Sequence, residues 1–285
     1  MSEIQFREIF RKVHAAHPNC LRDEWLAEPC RLANGRVVDR PVVWSRRNGP
    51  WQHADLLWVG AAPGNAGGKG AGVLGAHGTR IPFGGDVAGA NLEVLFGSIG
   101  VSRNETFIVA ALNQLPVAGG GEPAFAEIAA PVGEYPSSLH LLRDTIAAVE
   151  PRLIVALGNV GLRCTVATTQ LDAGMAALPS LAKLQKAGFA RGHVASWRGL
   201  PPILWLTHPS AQNMSPYARK ETLFHARMLE ARSALRSAVR DVLGRELPNA
   251  RPPHPHDGIY ALPEWQQLVE PRHAMLDELW REKGV

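Results

Sequence analysis

Leu56-Leu57-Trp58-Val59-Gly60-Ala61-Ala62-Pro63-Gly64, answered further on by Ile81-Pro82-Phe83-Gly84-Gly85-Asp86, is the stretch whose reading decides the fold. An apolar run that stops at a Gly/Pro turn and opens into a glycine-rich loop is the pattern of a buried strand. Such a strand delivers backbone N–H groups and a few side chains to the carboxyl edge of a sheet. In open α/β sheets that edge is where ligands sit. The loop is not a phosphate loop of the G-x-x-x-x-G-K-[ST] kind, because Lys69 is followed by Gly70-Ala71. It is not G-x-G-x-x-G either.

Working outward, Asp55–Val59, Thr106–Leu112, Leu153–Leu157 and Ile203–Leu206 read as four buried strands. Helical periods fall between and around them: residues 3–16, the run opening at Asp86, a helix capped at Ser137 or Ser138 and stopped by Pro151, another turning at Gly158, and Tyr217 to about Leu243. Residues 17–52 read as irregular, residues 119–136 as a loop, and residues 263–282 as a last short helix. Strands alternating with helices predict an α/β fold with a central, mostly parallel four-stranded sheet between helical layers. The expected organisation is a leader over 1–52, a core domain over 53–247 and an extension over 248–285.

Composition narrows the class. The 285 residues are 46% hydrophobic and 20% charged, with a formal net charge of +4 and an isoelectric point near 9.2. That is an ordinary globular balance, mildly basic and compatible with a polyanionic partner. Cys20, Cys30 and Cys164 are far apart with no CxxC pair, which suits a reducing compartment. The amphipathic start MSEIQFREIFRKVH has no apolar core of signal-peptide type, and no apolar stretch reaches the length of a membrane span. A cytoplasmic monomer with no membrane contact is expected.

Three strand ends carry polar or turn-forming residues: Gly60–Gly64, Asn113, and His208-Pro209-Ser210. Strand ends of a parallel sheet can converge on one crevice, so residues far apart in sequence could meet there. Each alone has a plain structural explanation: His208 as a hydrogen-bonded loop residue, Asn113 as a turn cap, Phe83 as core. Their joint order is more specific. Gly60-Ala-Ala-Pro-Gly64, Pro82-Phe-Gly-Gly-Asp-Val-Ala-Gly89, a strand ending at Asn113, Leu153–Gly158 and His208-Pro-Ser210 together resemble the uracil-DNA glycosylase superfamily. The closest likeness is to its thermostable bacterial and archaeal branches, and the match covers about residues 54–235.

The resemblance implies the superfamily's three-layer sandwich and a DNA glycosylase acting on uracil or another deaminated base. Such an enzyme takes the base out of the stack and stabilises the charge that separates when the N-glycosidic bond breaks. Phe83 would be the plate under the flipped base, with Gly60, Ala61, Ala62 and Gly64 as the pocket wall. Asn113 would pair with the polar edge of the base, since an amide offers both donor and acceptor. His208 would donate to a base carbonyl as negative charge develops. Ser210, Arg219 and Lys220 would contact DNA, and Met214 would be the wedge that enters the duplex. The plain alternatives are that Met214 packs on the core and that the two cations begin a solvated helix.

The chain departs from the branches it resembles. Ala61 stands where the iron–sulfur branch has a Glu, and three scattered cysteines do not match a four-cysteine cluster, so no metal or cluster is expected. Residues 119–136 contain no His and no basic residue, which removes the loop used by the branch that links covalently to DNA. The group that positions water is therefore open. Asp86 is the first candidate, being the only carboxylate between Gly60 and Gly89, though an Asp at a helix start is also a good cap. Asn65 is second and His77 third. Two rival functions stand beside this one: a non-catalytic nucleic-acid- or base-binding member of the fold, which Ala61 in a key acidic position would explain, and an enzyme acting on a small nucleobase or nucleoside, which few cations around the His-Pro-Ser loop would favour.

Overall fold

The computed structural model describes residues 30–31, 37–38, 54–62, 83, 87–101, 105–112, 123–131, 135–173, 175–210, 221–247 and 263–282. Within the stretch expected to be irregular, β1 (Cys30–Arg31) and β2 (Val37–Val38) form a small antiparallel ladder. The central elements follow: β3 (Leu56–Gly60), α1 (Val87–Ser98), β4 (Phe107–Ala110), α2 (Phe125–Ala129), α3 (Ser138–Val149), β5 (Leu153–Leu157) and α4 (Gly158–Ala167). After a 3-10 turn over Thr168–Ala173 come α5 (Leu181–Lys186), β6 (Val194–Ala195), β7 (Ile203–Leu206), α6 (Glu221–Leu243) and α7 (Pro263–Glu282).

The sheet has five strands in the order β4-β3-β5-β7-β6. The four expected strands are all present and mutually parallel, and β6 adds a two-residue antiparallel edge beside β7. That edge strand corrects the expected count of four. Val194-Ala195 is too short to carry an alternating pattern, and its pairing is set by β7 rather than by its own residues.

Period-2 alternation divides the buried strands between two cores. Leu57, Val59, Phe107, Val109, Ile154, Ala156, Ile203 and Trp205 pack on one side with α3, α4 and α5. Leu56, Trp58, Ile108, Leu153, Val155, Leu157, Leu204 and Leu206 pack on the other with α1, α6 and α7. Burial on both faces is why these strands read as continuous apolar runs. Trp58 meets Phe96 of α1 edge-to-face at 5.0 Å, and Thr106 Oγ1 donates to Leu56 O at 3.0 Å, tying the entry of β4 to β3.

Two local expectations are revised. Residues 119–136, read as a loop, contain α2, whose first turn is held by Glu127 Oε2 accepting from Ala124 N–H at 2.8 Å. Ser137 does stand at the start of α3 in extended conformation, but its hydroxyl lies 2.8 Å from His140 Nδ1 instead of capping the backbone. The helix ends on Glu150 at φ 50°, immediately before Pro151.

The last helix spans the expected residues, Pro263–Glu282, and packs into the core. Val269 and Leu276 of α7 are buried in the cluster beneath α1 and α6. Arg232 of α6 bonds Asp277 at 3.0 Å, and its guanidinium lies 4.5 Å from the Trp280 ring. Gly97 of α1 admits α7 closely, since a Cβ there would fall 2.5 Å from His273 Cε1. Among the described residues no helix is long and apolar enough to cross a membrane.

Candidate active site

Parallel pairing puts the carboxyl ends of β3, β4, β5 and β7 on one edge. The β3–β4 ladder continues past both strands, with Ala111 N–H donating to Gly60 O and Leu112 N–H to Ala61 O, each at 2.9 Å. Ala61 and Ala62 are half-buried at this edge and pack against the core.

Phe83 is brought to the same edge from the glycine loop. Its ring rests on Gly60: a Cβ at position 60 would lie 3.2 Å from Phe83 Cζ, so any larger residue there would press on the ring. Phe83 has φ 55°, the left-handed region, which is uncommon for a bulky residue. Strain of this kind costs on the order of 1–3 kcal/mol and persists where surrounding structure over-determines it, often at a functional site. Phe83 is half-buried at this edge.

His208 arrives from β7. Its ring centroid lies 5.7 Å from that of Phe83, with the planes tilted by 41°. Behind it, Gly158 at φ +75° begins α4, and a Cβ there would stand 3.1 Å from His208 Cβ. The backbone N–H of Ser210 donates to His208 Nδ1 at 3.2 Å. A backbone N–H can only donate, so Nδ1 accepts and the neutral ring carries its proton on Nε2. The turn Thr207–Ser210 thus presents an imidazole that offers a donor, not an acceptor, at its far nitrogen.

Of the residues singled out in the sequence, the structure brings together Gly60, Ala61, Ala62, Phe83, His208 and Ser210. Ser210, expected among the DNA contacts, uses its backbone N–H to orient His208. Gly64, Asn65, His77, Asp86, Asn113, Met214, Arg219 and Lys220 lie outside the described residues. In the sequence Gly158 is only a strand-to-helix turn; its packing on His208 depends on the β5–β7 pairing and has no local signature.

The fold is thus a parallel α/β sandwich that sets an aromatic ring and an imidazole side by side at the carboxyl edge of its sheet. The sequence profile of the Uracil DNA glycosylase superfamily matches residues 47–232, well over half of the 285-residue chain, and the chain belongs to that superfamily. Its members' activity is of DNA-glycosylase type. No curated protein matches the chain.

Proposed function

We propose that this protein is a DNA glycosylase that hydrolyses the N-glycosidic bond of uracil or another deaminated base in DNA, acting in base excision repair as a cytoplasmic monomer. The observation that carries the reading is the Phe83 ring, presented from a left-handed backbone, seated on Gly60 and beside His208. A base rotated out of the duplex would stack on Phe83, with Gly60–Ala62 and Gly64 as the wall. Asn113 would read its polar edge. His208 Nε2–H would donate to a carbonyl oxygen of the departing base, a fixed dipole aimed at charge that appears only as the bond breaks.

Water would be positioned by Asp86, with Asn65 as the second choice. Because the sugar passes through an oxocarbenium-like state, stabilising the leaving base matters more than a strong base. Met214 would wedge the duplex, with Ser210, Arg219 and Lys220 on phosphates. Three cysteines are too few for a four-cysteine cluster, so the reading invokes neither metal nor iron–sulfur centre. The order of motifs supports the thermostable branches as the nearest kin.

Incubation with single- and double-stranded oligonucleotides bearing uracil, hypoxanthine or xanthine, then alkali cleavage, should give strand breaks at the modified base. A folded protein that leaves every substrate intact would refute the glycosylase reading. Tight binding of uracil-containing DNA without turnover would instead identify a base-binding member, the outcome that Ala61 in place of an acidic residue would explain. Phe83→Ala should weaken productive base binding by about 1–3 kcal/mol, roughly 5–150-fold, since it removes the stacking plate. Phe83→Trp should retain most activity. The ratio of single-turnover rate to half-saturating DNA concentration measures both.

A further inference from the structure

We propose that Asn91 and Arg272 form a buried relay through which the C-terminal helix positions the His208 turn. Asn91 is in α1 and is completely buried. Its Nδ2 donates to Pro209 O at 2.9 Å, and its Oδ1 accepts from Arg272 Nε at 3.1 Å. Pro209 O and the Ser210 N–H belong to one peptide group. That same N–H donates to His208 Nδ1 at 3.2 Å. The chain of donors therefore runs from Arg272 to the Asn91 amide, through the Pro209–Ser210 peptide, to the His208 ring.

Each link constrains the next. An amide can flip, presenting oxygen where nitrogen stood; a guanidinium has only donors and so holds Oδ1 on its own side. With the amide fixed, Nδ2 faces Pro209 O and sets the plane of the peptide. With the plane set, the Ser210 N–H points at Nδ1 and the ring proton stays on Nε2. Hydrogen bonds in series also polarise one another in a buried setting. Asn91 is thus a positioning residue, acting on the reaction through the peptide and the ring.

Arg272 lies beyond the span 47–232 that matches the superfamily, so this support comes from outside the shared domain. The seat of α7 is well defined: Val269 and Leu276 are buried, His273 lies over Gly97, and Asp277 bonds Arg232. The residue next to Arg272 therefore packs directly on α1 at Gly97. Burial lowers the Arg272 pKa from its ordinary value, but an arginine remains a cation and keeps its donors.

The catalytic half of this inference rests on the proposed glycosylase activity, and the test separates the two. Asn91→Leu removes both bonds at similar volume; Arg272→Met removes the donor while keeping the stem; Arg272→Lys restores one donor. Nitrogen-15 spectra of the imidazoles, with His208 assigned from the His208→Ala protein, report its tautomer. In the parent protein His208 should be the Nε2–H form. In Asn91→Leu and Arg272→Met it should become a tautomer mixture. Single-turnover release of uracil at saturating DNA should fall about 10–100-fold, the effect of a small misplacement, while the Kd for DNA changes by less than about threefold. Arg272→Lys should recover part of the loss. Folded variants with the parent's tautomer and rate would overturn the proposal, as would a loss confined to DNA affinity. Should Asn91→Leu not fold, the half-buried Arg272 variants decide alone. Should the parent cleave no substrate, the glycosylase reading fails while the tautomer measurement still decides this one.

Discussion

His208→Ala is expected to lower the single-turnover rate of uracil release by about 10²–10³-fold, the usual cost of removing one preorganised donor from a developing anion. The effect should fall on rate more than on DNA affinity, because the donor matters most when charge builds on the departing base. Phe83 on one side, Gly158 behind and the Ser210 N–H on Nδ1 hold the ring before substrate arrives. Preorganisation of this kind needs no rearrangement in the transition state, which is why its loss is large. Asn113→Ala should cost a comparable amount through lost recognition of the base edge. Asp86→Asn should cost less than either, because an amide can still orient water. The three variants, assayed on one uracil-containing oligonucleotide, rank these roles. Full activity in His208→Ala would remove the ring from the mechanism.

Gly161→Ala is expected to destabilise the whole domain, by about 1–3 kcal/mol for a side chain forced into a filled core. A Cβ at position 161 would lie 2.4 Å from Val59 O. That oxygen belongs to the backbone of β3, an interior strand of the sheet, and cannot rotate away as a side chain could. Alanine improves intrinsic helix propensity by about 1 kcal/mol over glycine, so any net loss is the signature of the close approach. Urea unfolding should show a lower midpoint at unchanged slope. Because Val59 precedes Gly60, and α4 begins at Gly158 against His208, displacement of α4 should also reduce activity at temperatures where the variant is folded. A variant as stable as its parent would mean that α4 does not sit this close to β3.

Much of this architecture was legible in sequence, for a physical reason. Strands buried on both faces must be continuously apolar, so Asp55–Val59, Thr106–Leu112, Leu153–Leu157 and Ile203–Leu206 announce themselves, the second running two residues past the end of β4 at Ala110, and the Gly/Pro and His-Pro-Ser sequences mark where β3 and β7 end. Helix stops were equally plain where chemistry forces them, as at Pro151. Less visible were β6, formed only by pairing with β7, and α2, whose first turn depends on the Glu127 carboxylate. Neither carries enough residues for a period to emerge.

The sequence by itself determined the parallel α/β sandwich, its superfamily, and the candidacy of Gly60, Phe83 and His208, because burial periodicity and turn chemistry are local properties. Only the tertiary structure decided that Phe83 is a left-handed residue resting on Gly60, that Ser210 orients His208, and that α7 reaches the same turn through Asn91. These arrangements join residues as far apart as positions 91, 209 and 272. They arise from strand order and helix packing, which no local pattern of residues encodes.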